Sequence, residues 1–156
     1  MDLKFKVSGR ISKPVETVFE AVVNPDHLSQ YFTTGGAKGR LETGTTVTWD
    51  FADFPGAFPV RVEKVVPNKQ IVFHWGSQDD APEGEEFKPH DTTVTMDFEA
   101  LDDGRTLITI TEEGWRETPK GLKASYGNCE GWTGMFFAMK MWLEYGIVNL
   151  RKGTYK

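Results

Sequence analysis

Asn128-Cys129-Glu130-Gly131-Trp132-Thr133-Gly134-Met135-Phe136-Phe137-Ala138-Met139-Lys140-Met141-Trp142-Leu143-Glu144-Tyr145-Gly146-Ile147-Val148-Asn149-Leu150 is the stretch that decides the fold. Trp132, Met135, Phe136, Met139, Leu143, Ile147 and Leu150 recur in it at helical spacing and form one stripe. Phe137, Met141, Tyr145 and Val148 form a second, weaker stripe, with Glu130, Lys140, Glu144 and Arg151 mostly between or beside the two. The spacing predicts a long helix over 128–150 that is apolar on more than one side. Such a helix needs a cover, and most of the chain before it reads as strands.

Working back from the helix, Thr106 to Gly114 and Thr92 to Ala100 alternate apolar and polar residues around Asp102-Asp103-Gly104, a strong hairpin turn. Val94, Met96 and Phe98 share one face with Ile108 and Ile110. Gln70 to Gly76 and Val60 to Val66 flank Pro67-Asn68-Lys69, a second hairpin, and Val47, Trp49 and Phe51 alternate before it. Gly35, Gly36, Gly39 and Gly44 mark short strands joined by tight turns. Near the start, Leu3, Phe5, Val7 and Ile11 give a half-buried first strand. Ser12-Lys13-Pro14 opens a helix whose face is Val15, Val18, Phe19 and Val22, and Asn24-Pro25 ends it. Asp26 to Phe32 fits a second short helix. The expected architecture is α+β: one domain over 1–156, with a curved antiparallel sheet of about six or seven strands wrapped on the long C-terminal helix and two short helices after the first strand. Only the stretch from Ser77 to Asp91, a long acidic loop with Asp79, Asp80, Glu83, Glu85 and Glu86, breaks this rhythm.

Composition narrows the function classes. The net charge of −5, without a Lys/Arg cluster, argues against nucleic acid and anionic lipid as partners. No apolar run reaches the roughly 18 residues of a membrane span, and no apolar signal segment follows Met1-Asp2-Leu3-Lys4. The single cysteine, Cys129, cannot form an intrachain disulfide or a thiolate metal site, so a reducing cytoplasm is the expected location. Aromatic residues make up 13% of the chain, enough for a bulky core or a ring-lined cavity.

Candidate site residues follow from strand parity. Trp49, Phe51, Phe73, Trp75, Met96 and Phe98 should look toward Trp132, Met135, Phe136 and Met139, either as packed core or as the wall of an apolar cavity. Glu112 continues the alternation of Ile108 and Ile110, which puts a carboxylate inside unless the strand ends or bulges there. A buried carboxylate has a raised pKa or a cationic partner, and could orient a ligand or serve as a general base. The other polar residues offer less. His74 faces away from Phe73 and Trp75, and His27, His74 and His90 have no metal-site spacing. Gly35-Gly36-Ala37-Lys38-Gly39 lacks the Gly-Lys-Ser/Thr ending of a phosphate loop, and no Gly-x-Ser-x-Gly elbow occurs. Cys129, near the expected helix start, reads as a buried structural thiol. Neither cofactor nor metal is expected. The second helix stripe packs under the N-terminal helices or forms a homodimer face.

Several motifs in succession resemble a known family. Lys13-Pro14-Val15-Glu16-Thr17-Val18-Phe19 followed by Asn24-Pro25-Asp26-His27-Leu28 resembles the opening of the bacterial proteins related to the activator of Hsp90 ATPase, in the START-like, helix-grip (SRPBCC) superfamily. Val62 to Trp75 resembles that family's central hairpin, Thr92 to Glu99 its next strand, and Gly131-Trp132, Met139-Lys140 and Leu143-Glu144-Tyr145-Gly146 its C-terminal helix. The resemblance implies the helix-grip fold and a hydrophobic cavity, and leaves the chemistry open. The leading expectation is non-catalytic binding of a small hydrophobic or amphipathic molecule by the aromatic set, with Glu112 as its polar contact. The alternatives are an enzyme of hydrolase or cyclase type using a buried acid in the same cavity, and a chaperone-associated interaction module by analogy with the longer Hsp90 activators.

Overall fold

Period-two alternation builds the sheet of this molecule. The computed structural model describes residues 2–77 and 90–155. Strand β1 (Lys4–Ile11) leads to helices α1 (Val15–Val23) and α2 (Pro25–Tyr31). Strands β2 (Gly36–Lys38), β3 (Thr46–Phe51), β4 (Phe54–Val66), β5 (Gln70–Gly76), β6 (Asp91–Ala100) and β7 (Thr106–Glu113) follow, then helix α3 (Pro119–Tyr145). The seven strands form one sheet in the order β1-β7-β6-β5-β4-β3-β2, antiparallel throughout. The first strand thus closes on the last, Phe5 opposite Glu112 and Ile11 opposite Thr106. Register shifts at Trp49/Phe51 and Val62/Lys64 bend the sheet as bulges do, so that it curls around α3.

The inner face carries the predicted residues. Trp49, Phe73, Val94, Met96, Ile108 and Ile110 are fully buried, and from α3 so are Met135, Ala138 and Met139, with Trp132 and Phe136 nearly so. The helix comes close enough to β1 that a Cβ on Gly9 would fall 2.2 Å from the Phe136 ring. Asn24 caps α2 by accepting from the Asp26 N–H at 2.9 Å, with Pro25 at the first helical position. Among the described residues no helix is long and apolar enough to cross a membrane.

Helix α3 departs from the expected 128–150 at both ends. It starts at Pro119, where Thr118 accepts from the Gly121 N–H at 3.0 Å as N-cap. Its first turns carry glycine and polar residues, which hide the helical period. It stops at Tyr145 because Gly146 takes a left-handed conformation (φ 71°) and closes the last turn onto Met141 and Trp142. Ile147, Val148 and Leu150 continue the apolar spacing outside the helix and are exposed. The second stripe does not pack under the N-terminal helices: Phe137 and Tyr145 are exposed, and Trp142 fills that place, stacking on Tyr31 at 5.5 Å and meeting His27 edge-on. Cys129 lies well inside α3 and is half-buried, beyond the first turn where a helix N-terminus could lower its pKa. Of the acidic stretch at 77–91, residues 78–89 lie outside the described residues.

Candidate functional site

Glu112 is the polar centre of the interior. It stands on β7 opposite Val94 of β6 and Phe5 of β1, and it is fully buried, as strand parity predicts. Four side chains donate to its carboxylate. Trp132 Nε1 reaches Oε1 at 2.8 Å, Trp75 Nε1 reaches Oε2 at 2.9 Å, and Thr92 Oγ1 reaches Oε2 at 2.6 Å. Asn128 Nδ2 is shared between the two oxygens at 3.1 and 3.0 Å. Burial pushes the Glu112 pKa up, and the bonds from Thr92, Trp75, Trp132 and Asn128 only partly offset it. Among the described residues its hydrogen-bond partners are all uncharged.

Around this carboxylate lies a net of rings. Trp75 meets Trp132 at 5.4 Å, Phe73 at 5.5 Å and Trp49 at 6.0 Å between centroids. Phe32, the C-cap of α2, touches Trp49, Phe51 and Trp132 at 5.0–5.5 Å, and Phe58 joins Phe51 to Trp75. The predicted set therefore divides. Trp75 and Trp132 bond Glu112, Trp49 and Phe73 pack against these two indoles or each other, and Phe51 joins the net through Phe32 and Phe58, while Phe98 packs edge-on against Phe19 of α1 and Phe136 lies over Gly9. Met96, Met135 and Met139 are fully buried core residues. Sequence reasoning missed Thr92, Asn128, Phe32 and Phe58. The first two were within its reach: Thr92 has the parity of Val94, and Asn128 precedes Trp132 by one helical turn.

A second charge sits at the far end of the ring net. After α3 the chain folds back, held by the Asn149 N–H on Gln30 O at 2.8 Å and by Asp53, whose carboxylate accepts from the Gly153 and Tyr155 N–H groups at 2.7 and 3.0 Å. These bonds hold the Asp53 pKa below its ordinary value. The return brings the Arg151 guanidinium over the rings of Phe32, Tyr155 and Phe51 at 5.0–5.4 Å. Its Nη1 donates to Phe32 O at 3.4 Å, its buried Nε has no hydrogen-bond partner among the described residues, and burial pushes its pKa down.

The other polar features do not converge on the rings. An open groove of about 440 Å³ lies between α1, the 40–43 loop and the β4–β5 turn. Phe19, Val23 and Leu41 floor it, and its rim carries Glu16, Glu42 and the two-pronged Glu20–Arg40 ion pair, which pulls the Glu20 pKa down to about 2. His74 is outside, between Glu63 and Thr93, and His90 bonds to Gly114 O. Among the described residues no group of His, Cys, Asp and Glu is placed to hold a metal ion.

Solved structures share this architecture. The chain is similar to the protein SSP2350 from Staphylococcus saprophyticus, with 27% identity, 98% of each chain covered and a TM-score of 0.71. It is similar in fold to the Aha1 dimer from Colwellia psychrerythraea, with 22% identity, 92% of this chain and 97% of that chain covered and a TM-score of 0.71. It is also similar in fold to DynU16 of the dynemicin biosynthetic locus, with 21% identity, 95% of this chain but 49% of that chain covered and a TM-score of 0.76. No curated protein matches the chain. The family model of the activator of Hsp90 ATPase homolog 1-like proteins matches residues 12–144, nearly the whole gripped helix and sheet. The chain belongs to that family.

Proposed function

We propose that the cluster of rings beside Glu112 opens to bind a small hydrophobic or amphipathic molecule, with Glu112 as its polar contact. The observation that carries this reading is a fully buried carboxylate that, among the described residues, has four neutral donors and no ion-pair partner. Withdrawing a carboxylate from water costs several kcal/mol, and replacing it together with all its donors by well-packed apolar side chains is often neutral for stability or better. Groups perturbed by burial in this way concentrate at functional sites. Trp49, Phe51, Phe73, Trp75 and Trp132 supply the apolar wall, and Met96, Met135 and Met139 supply adaptable packing behind it. The rings touch one another in this structure, so a ligand enters as they part.

Binding is favoured over catalysis by the same contacts. The described partners of the carboxylate are two indoles, a hydroxyl and an amide, which fix its position and offer no second acid or base for proton transfer. Native mass spectrometry of the purified chain tests the reading. A mass excess that is lost on denaturation is the expected result. A bare mass, together with no change in Trp fluorescence on adding apolar probes, removes it.

A separate observation supports self-association. Tyr126, Phe137 and Tyr145 stand exposed along the outer side of α3, with Val148 beyond its end. Large apolar side chains aligned on one surface fit an interface between two copies, and the similar Aha1 protein from Colwellia psychrerythraea is a dimer. Sedimentation of the chain should then depend on concentration, and Phe137→Glu should leave only monomer. A wild-type monomer at high concentration eliminates this interface. A single half-buried cysteine agrees with a reducing compartment, for which we take the cytoplasm.

A further inference from the structure

Among the described residues the partners of Glu112 are donors only: two indole N–H groups, one hydroxyl and one amide. They are not equally replaceable. Trp75 and Trp132 are held by ring contacts, and Thr92 is buried within β6. Asn128 is half-buried and divides one amide nitrogen between both carboxylate oxygens, through the two longest of the five contacts. It also stands on the weakest part of its helix. Gly127 precedes it and Gly131 follows it, and a Cβ at either would meet nothing within 4 Å. Neither glycine has a positive φ. Packing and backbone geometry therefore require neither of them, whereas Gly121 and Gly134 of the same helix are crowded by Arg116 O and by the Tyr155 hydroxyl. Glycine in a helix interior lowers its stability. The first half of α3 buries only Gly121 and Ser125, while the second half buries Met135, Phe136, Ala138 and Met139.

We propose that the ligand of this site carries a hydrogen-bond donor, above all a protonated amine, on an apolar frame, and that it takes the place of Asn128 on Glu112 as the first half of α3 lifts. This rests on the binding reading above. An ammonium group makes charge-assisted bonds to the carboxylate, whose described partners are all uncharged. An alcohol supplies the donor without the charge. A carboxylate ligand brings a second negative charge next to Glu112 in a poorly screened interior and is rejected.

The test uses the full chain and three probes on one frame: 2-naphthylmethylammonium, 2-naphthylmethanol and 2-naphthoate. The indole N–H signals of Trp75 and Trp132 in ¹H–¹⁵N spectra are the readout. The ammonium probe should shift both signals and bind about tenfold or more tighter than the alcohol, a difference of about 1.4 kcal/mol or more, and naphthoate should leave them unmoved. Glu112→Gln should abolish the preference for the amine. Asn128→Ala, which keeps the carboxylate, should tighten amine binding by removing the group it displaces. Gly127→Ala with Gly131→Ala should slow amide exchange over 120–131 and slow amine association. Naphthoate binding as tightly as the amine, or an amine preference that survives Glu112→Gln, overturns the ligand class and leaves the site standing. Silence of both indole signals toward all three probes overturns the site as well. Exchange as slow in the first half of α3 as in the second, in the unaltered chain, overturns the lifting step.

Discussion

Glu112 and Arg151 lie toward opposite ends of one net of rings, and they are kept from water in different ways. The carboxylate is enclosed by secondary structure, between β5, β6, β7 and α3, and every contact it makes is a directed hydrogen bond. The guanidinium is carried in by a return of chain after the helix, and it is met mainly by ring faces, with Nε left unpartnered. A carboxylate is strongly hydrated and acceptor-only, so it enters a core only where donors converge on it. A guanidinium is flat and weakly hydrated, and stacking suits it even when its hydrogen bonding is incomplete. One end is a rigid polar socket, and the other is a stacked closure.

Three experiments can break or sharpen this contrast. The largest effect is expected at the socket. Glu112→Leu leaves two indole N–H groups and a buried hydroxyl without an acceptor, and urea unfolding should show a loss of about 3–5 kcal/mol. A near-neutral result would mean that the socket relaxes and is not rigid. The second concerns pH. Burial raises the Glu112 pKa in the folded chain above its unfolded value, so between those two values the folded state holds more proton. Its contribution to stability is therefore favourable below that window and is lost as pH rises through it, with a slope of at most about 1.4 kcal/mol per pH unit. Against Glu112→Gln as reference, the unaltered chain should lose stability in that direction. A difference of the opposite sign would show that the four donors outweigh burial. The smallest effect is expected at the closure. Arg151→Met keeps the stem, removes the unpaired Nε and sacrifices the stacking, so thermal unfolding should change by less than about 1 kcal/mol. Amide exchange at Gly153 and Tyr155 should nevertheless quicken as the tail loosens. A loss as large as that of Glu112→Leu would make the two ends equivalent.

The same contrast marks how far the sequence could be read. Alternation carries the sheet and the inward position of Glu112, because a strand repeats every two residues whatever it packs against. Extending that rule by one step finds Thr92, and the helical repeat finds Asn128. Phe32 and Arg151 follow no repeat. Phe32 comes in from a helix cap and Arg151 from the chain beyond Gly146, and both are placed by tertiary contacts alone. The ends of α3 were obscured for two separate reasons. At its start Gly121, Ser125, Gly127 and Gly131 hide the helical period, although Thr118-Pro119 is a legible start signal. At its end Ile147 and Leu150 extend the period past a glycine that has already turned the chain.

The pairing of β1 with β7 has a consequence for how the protein is made. A ribosome releases β1 well before its neighbour among the described strands, β7, which emerges roughly 100 residues later, on the order of ten seconds at ordinary rates of synthesis. Until then β1 is an unpaired edge with Phe5, Val7 and Ile11 along one side, and Lys4, Lys6 and Arg10 along the other keep that edge from joining a neighbour. The sheet closes only when β7 arrives, and β7 is the strand that carries Glu112. Pairing of β1 therefore coincides with placement of Glu112 in the sheet, and enclosure of the carboxylate waits for Asn128 and Trp132 of α3, which follow β7 in the chain.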